Sequence, residues 1–181
     1  MRVITGSVRG RRLKEPDDME IRPTSDMVKQ AIFNIIQFDI EGRRVLDLFA
    51  GTGQLGIECL SRGAASCVFV DAGREGLSLV KHNLAVCKLQ AEVVAGDALA
   101  YLRQSKPNSF DLILMDPPYV SDLLSAALET IVTFDILSEG GIIICESRPD
   151  KELPEPKLPY FLKKAYRYGK VKLTVYGREG N

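Results

Sequence analysis

Arg44-Val45-Leu46-Asp47-Leu48-Phe49-Ala50-Gly51-Thr52-Gly53-Gln54-Leu55-Gly56 reads as a buried strand, Arg44 to Phe49, that turns through glycines into a helix, Leu55 to Arg62. Gly53 and Gly56 let the backbone come close to a ligand just before the helix starts. Asp71 ends the next strand about twenty residues after Gly51, the position from which an acid commonly bonds the hydroxyls of a ribose. Dinucleotide-binding dehydrogenases share that spacing. Asp47 argues against them here, because an acid immediately ahead of the glycines faces a pyrophosphate unfavourably and suits the amino group of a methionine moiety.

Outward from this unit, strands Arg44 to Phe49, Cys67 to Asp71, Glu92 to Ala95, Asp111 to Asp116 and Gly141 to Glu146 alternate with helices Leu55 to Arg62, Arg74 to Cys87, Ala98 to Gln104 and Asp122 to Phe134. A further helix, Ser25 to Phe38, precedes them. Such alternation predicts an α/β, Rossmann-like fold with an open, mostly parallel sheet covered on both faces. Phe161 to Tyr168 and Lys170 to Tyr176 alternate in polarity around Gly169, so a C-terminal antiparallel hairpin brings the sheet to seven strands. Val3 to Leu13 reads as a second, smaller hairpin, and the proline-rich Leu153 to Pro159 as a connector. With 181 residues, 45% of them hydrophobic, the chain is expected to build one domain: a basic extension over 1–20 and a catalytic core over 21–181.

A second motif, Asp116-Pro117-Pro118-Tyr119, leaves the end of the apolar run Phe110-Asp111-Leu112-Ile113-Leu114-Met115. Such a loop suits a flat, amine-bearing base. The aspartate and the Pro117 carbonyl can accept hydrogen bonds from an exocyclic NH2, the paired prolines stiffen the backbone and remove two donors, and Tyr119 offers a stacking face. After the third strand, Gly96-Asp97-Ala98 puts Asp97 and Ala98 near an adenine edge, while Asp97 is equally suited to cap the helix that starts at Ala98. The glycine turn and the tetrad together point to methyl transfer from S-adenosylmethionine to the amine of a nucleobase. The candidate cofactor residues are Asp47, Phe49, Gly51, Gly53, Gly56, Asp71, Asp97 and Ala98; the candidate catalytic residues are Asp116, Pro117, Pro118 and Tyr119.

The formal net charge of zero conceals segregation. Arg2, Arg9, Arg11, Arg12 and Lys14 precede the first acid, Glu15, and Lys163, Lys164, Arg167, Lys170, Lys172 and Arg178 follow Glu155 with no acid before Glu179. Residues 15–160 carry 13 basic against 23 acidic side chains. Either basic end alone could be a solvated charge run; two such ends beside a base-binding loop favour a polyanionic partner. Cys59, Cys67, Cys87 and Cys145 show no CxxC pairing and have only His82 as company, so reduced thiols are expected and no metal site. No apolar run is long enough to span a bilayer and the basic start lacks a secretory core, so a cytoplasmic, non-membrane protein is expected.

The chain resembles, across nearly its whole length, the bacterial small-subunit (16S) rRNA guanine-N2 methyltransferases of the RsmD type. Ile4-Thr5-Gly6 with Gly10-Arg11-Arg12-Leu13, Arg22-Pro23-Thr24-Ser25-Asp26, Asp47 to Gly53, and Asp116 to Tyr119 carry the resemblance. The second of these is the specific part, since many amino-methyltransferases share the last two. The resemblance implies a class I methyltransferase fold, S-adenosylmethionine as donor, and as acceptor a guanine of small-subunit rRNA in a ribosomal particle. Arg9, Arg11, Arg12, Lys14 and Arg22 are the expected RNA contacts, and a monomer is expected. Gly73 stands where an acid often follows the ribose-binding residue, and Val120 where relatives often carry a basic or polar side chain.

Three other readings share features with this one. DNA amino-adenine methyltransferases carry the same tetrad but usually need an added recognition domain, for which no stretch here is long enough. Protein glutamine methyltransferases usually carry asparagine in place of Asp116. A non-enzymatic RNA-binding module would explain the basic ends and leave the glycine turn and tetrad without purpose.

Overall fold

A computed structural model describes residues 1–16, 25–118 and 122–180. Its elements run α1 (Asp26–Ile35), β1 (Arg44–Leu48), α2 (Gln54–Ser61), β2 (Ser66–Asp71), α3 (Arg74–Cys87), β3 (Glu92–Ala95), α4 (Ala98–Gln104), β4 (Phe110–Met115), α5 (Leu123–Thr133), β5 (Leu137–Ser147), β6 (Tyr160–Tyr168) and β7 (Val171–Arg178). They build one seven-stranded sheet in the order β3-β2-β1-β4-β5-β7-β6. The first five strands in that order are parallel, and β7 runs antiparallel between β5 and β6. The chain winds outward from β1 in one direction and from β4 in the other. Ligands bind in open α/β sheets at such a reversal, beyond the carboxyl ends of the strands.

Alternation along each strand divides the core in two. Val45 of β1, Phe69 of β2 and Leu112 and Leu114 of β4 pack with α1, α2 and α3, whereas Leu46, Leu48, Val70, Ile113 and Met115 pack with α4 and α5. Both faces are covered, which is why these strands read as continuous apolar runs. At the opposite end of the sheet from the strand carboxyl ends, Arg44 clamps Asp111 with two guanidinium hydrogen bonds, of 3.0 and 2.9 Å, and Ser138 donates to the same carboxylate at 2.6 Å. Those donors hold the Asp111 carboxyl well below its usual range.

Some boundaries differ from the sequence reading. β5 starts at Leu137, not Gly141, because Leu137 pairs with Phe110 ahead of a register irregularity, and Gly140-Gly141 masked this extension. α1 ends at Ile35, three residues early, with its N-terminus capped by Ser25 Oγ accepting from Val28 N–H. Arg178, counted with the C-terminal cations, is 5% exposed and bonded through its guanidinium to Asp135 at 2.8 Å by two nitrogens. It ties β7 to the end of α5 and is not a surface cation. Lys163, Lys164 and Arg167 are exposed on β6, an edge strand, where charge also discourages pairing with another chain.

The N-terminal segment closes as a rudimentary hairpin, with one antiparallel bridge between Arg2 and Arg12. Its backbone is fastened to the helices by a buried carboxylate. Glu58 of α2 accepts from Ile4 N–H at 2.8 Å, Thr5 N–H at 2.9 Å and Arg62 Nε at 3.0 Å, and pairs with Lys29 Nζ at 3.1 Å. Lys29 also donates to the Arg2 carbonyl at 3.0 Å. Burial pulls the Lys29 ammonium below its ordinary range, and Glu58 opposes that pull. Glu58→Ala strands the buried Lys29 and two hairpin amides, so it should cost on the order of 3 to 5 kcal/mol in urea unfolding. A loss below about 1 kcal/mol would show that the hairpin is held by something else.

Candidate active site

Four carboxylates lie along the carboxyl ends of adjacent strands. Asp71 ends β2, Asp47 is the penultimate residue of β1, Asp116 follows β4, and Glu146 is the penultimate residue of β5. In register, Asp47 is level with Phe69 and Leu114, and Met115 is level with Cys145, so Asp116 emerges beside Glu146. By alternation Asp47, Asp71 and Glu146 share the face that carries α2 and α3, and Asp116 continues it.

The glycine turn is shaped by two of these acids. Asp71 accepts from Gly51 N–H through one oxygen and from Gly73 N–H through the other, each at 2.7 Å. Asp47 accepts from Gly56 N–H at 2.8 Å and so satisfies an amide in the first turn of α2, whose own cap position, Gly53, has no side chain to do it. Gly53 sits at φ 76°. A Cβ on Gly56 would lie 2.3 Å from Phe69, so only glycine lets α2 approach β2 this closely. The turn amides at 51 and 56 thus face carboxylates and are not offered to a pyrophosphate, which sets this turn apart from dinucleotide-binding ones. Phe49, at φ 67°, is half-buried against the α4 and α5 side of the core.

Asp97 does cap α4, its carboxylate accepting from Ala100 N–H at 2.8 Å, and Ala98 is buried in the first turn. Both stand at the end of β3, which Gly96 N–H ties to the Asp71 carbonyl at 3.0 Å. Past β4, Asp116 is half-buried, Pro117 buried and Pro118 exposed. A cavity of about 450 Å³ opens beside them, walled by Pro117, Pro118, Leu124, Glu146, Ser147 and Arg148 among others. Glu146, 5% exposed, was not singled out in the sequence. Tyr119 and Arg22 lie outside the described residues. Among the described residues, no group of three or more His, Cys, Asp and Glu side chains is placed to hold a metal ion, and no helix is long and apolar enough to cross a membrane.

Arg9, Arg11, Arg12 and Lys14 are exposed on the N-terminal hairpin. Their segment is linked to the glycine turn through Asn83 of α3, a fully buried residue. Its side chain accepts from Lys14 N–H at 2.7 Å and donates to the Thr52 carbonyl in the glycine turn at 2.9 Å. Asn83, Lys29 and Glu58 escaped the sequence reading because a lone polar residue on a helix carries no motif; their only signal was an apolar surrounding. All four cysteines are buried free thiols, and burial raises the Cys59, Cys67 and Cys145 thiols further from ionisation.

Burial pushes the Asp47 carboxyl up to about 8; the Gly56 amide opposes this, while the Asp116 and Asp71 charges add to it. Mutual repulsion of this kind makes the strand ends a receptor for positive charge.

This strand order, with the reversed β7 and an acid-rimmed glycine turn, is the class I methyltransferase architecture. Residues 1–177 match the family model described as Conserved hypothetical protein 95, and the chain belongs to this family, that of the RsmD-type methyltransferases. It is 40% identical over 184 residues to YlbH of Bacillus subtilis, covering 99% of this chain and 100% of that one. With the Ribosomal RNA small subunit methyltransferase D of Escherichia coli K12 it shares 33% identity over 180 residues, covering 99% and 90%. The solved structure of yhhF from Escherichia coli superposes with a TM-score of 0.89 at 31% identity, covering 100% of this chain and 99% of that one.

The Asp47 carboxyl has a folded value above its ordinary 3.8. Between about 4 and 8 the folded ligand-free protein therefore keeps a proton that the unfolded chain has lost, and stability falls as pH rises through that window. Asp47→Asn, which can still accept from Gly56, removes this dependence. Its melting temperature relative to wild type should climb from pH 5 to pH 8 and then level off; a constant difference would place the Asp47 charge in water.

Proposed function

We propose that the chain transfers a methyl group from S-adenosylmethionine to the exocyclic N2 amine of a guanine in small-subunit (16S) rRNA, acting as a monomeric cytoplasmic enzyme on an assembled or assembling ribosomal particle. The observation that carries the reading is the line of acids at the sheet reversal, with a cavity of about 450 Å³ beside the Asp116-Pro117-Pro118 loop. The name of the Escherichia coli relative supports small-subunit rRNA as the acceptor.

The residues fit the donor. Asp71 uses one lone pair of each oxygen on Gly51 and Gly73 and keeps others for two vicinal hydroxyls. The close backbone at Gly73 and Gly76, where a Cβ would come within 3.2 and 3.1 Å of the Asp71 carboxylate, leaves that carboxylate no side-chain neighbour at these positions. Asp47, driven towards the neutral form when nothing positive is near, suits the amino group of a methionine moiety, and Asp97 and Ala98 flank the adenine position. Bound there, S-adenosylmethionine supplies an electrophilic methyl group on a positively charged sulfur.

The chain's own part is to hold and aim a weak nucleophile, because the lone pair of guanine N2 is delocalised into the ring. Asp116 and the Pro117 carbonyl accept from the NH2 group, favour a more tetrahedral nitrogen, weaken the conjugation of its lone pair with the ring and aim that lone pair at the methyl group. Alignment of this kind can remove on the order of 7 kcal/mol of barrier, and the fixed acceptors stabilise the positive charge developing on nitrogen. In this mechanism Asp116 takes the departing proton. Tyr119 stacks on a base turned out of structured RNA, while Arg9, Arg11, Arg12, Lys14 and Arg22 hold phosphates away from the acidic strand ends.

Methyl incorporation from labelled S-adenosylmethionine into small-subunit particles, DNA and bulk protein in parallel tests the class; label in DNA or protein instead of rRNA would overturn it. Asp116→Ala should lower turnover on rRNA by roughly a hundredfold or more, with cofactor affinity and melting temperature nearly intact. Asp71→Ala should instead weaken cofactor binding by about 1.5 to 3 kcal/mol in calorimetry. Replacing Arg9, Arg11 and Arg12 together should flatten the salt dependence of particle binding by about 0.7 to 0.9 log units per lost phosphate contact and leave cofactor binding alone. Identical slopes would move the RNA to another face.

A further inference from the structure

Glu146 belongs to no motif, yet it is 5% exposed and lines the 450 Å³ cavity beside the Asp116-Pro117-Pro118 loop. Its place is fixed on both sides. Cys145 is in register with Met115 of β4, and Glu146 itself is in register with Leu173 of β7. Parallel neighbours lie about 4.8 Å apart, so Asp116 and Glu146, each the next residue after the pair Met115 and Cys145, follow it on neighbouring strands with both side chains on one face of the sheet. One of them is assigned to the amine, and the mechanism above uses no second acid.

The chemistry of the bases says what the second acid can recognise. Three bases of RNA carry an exocyclic amine. In adenine and cytosine the one ring nitrogen next to it, N1 or N3, is an acceptor; guanine alone has a donor beside its amine, N1–H, with the acceptor N3 on the other side. Two adjacent acceptors therefore match the N2–H and N1–H donors of guanine and oppose a lone pair on the other two. We propose that Glu146 determines the base specificity, accepting from guanine N1–H while Asp116 and the Pro117 carbonyl hold N2. This rests on the methyl-transfer reading and adds to it the reason for guanine. An acceptor facing an acceptor sets a buried carboxylate against a lone pair, the kind of mismatch by which polar sites reject close analogues most strongly.

The test uses small-subunit particles reconstituted with rRNA carrying guanine or 2-aminopurine at the methylated position. 2-Aminopurine keeps the amine and replaces N1–H with a lone pair. The wild-type protein should prefer guanine by roughly a hundredfold or more in kcat/KM. Glu146→Gln, which can donate as well as accept, should slow guanine and narrow that preference to less than about tenfold, with cofactor affinity unchanged. A wild-type enzyme that methylates both bases equally overturns the assignment without any variant, and so does a Glu146→Gln enzyme that retains the full preference. In both cases rRNA is still methylated, so the proposed function survives; absence of label in guanine-bearing particles would instead sink that function and the assignment with it.

Discussion

Like charges gathered at the ends of neighbouring strands are the constraint around which the rest of the structure is arranged. Asp47, Asp71 and Asp116 are close enough for the latter two to raise the Asp47 carboxyl, and burial raises it further. The backbone answers with amides: Gly51, Gly56 and Gly73 all donate to Asp71 or Asp47. Those hydrogen bonds fix the path of the glycine turn and the start of α2. The turn needs left-handed backbone at Gly51 and Gly53, and α2 needs a bare Cα at Gly56 to lie against Phe69. Charge, turn shape and helix packing thus depend on one another.

The same constraint explains the distribution of charge along the chain. Under the proposed function, an acidic edge that attracts a sulfonium and an amino group repels RNA phosphates, so the attraction for RNA has to come from elsewhere. The N-terminal hairpin, to whose exposed arginines the proposed function gives that role, is no loose tail: Glu58, Lys29 and Ser61 hold its backbone to the helices. Asn83 then connects the hairpin to the carbonyl of Thr52 in the glycine turn. The basic hairpin and the acidic strand ends are opposite in charge and joined in structure.

Much of this was legible in the sequence because it is carried by local pattern. Apolar runs ending in Asp47, Asp71 and Asp116, the glycine spacing, and the strand and helix alternation yielded the sheet and the acids at its edge. Tertiary events were not legible. The extension of β5 back to Leu137 depends on pairing with Phe110 across a register irregularity, which no local propensity reports. Glu58 and Lys29 form a buried pair between segments 29 residues apart, and each alone reads as an ordinary helical charge. Arg178 reads as a surface cation until Asp135 folds beside it. Glu146 reads as the polar end of a strand until the cavity next to Pro117 is seen.

The central claim is that this acidic strand edge methylates a guanine amine of small-subunit rRNA. Its most direct test is nucleoside mass mapping of that rRNA from cells with and without the gene. The account predicts that one N2-methylguanosine is replaced by guanosine in the deletion strain, and that it returns with the wild-type gene. An unchanged modification pattern, or loss of a methyl group from a base other than guanine, would contradict it.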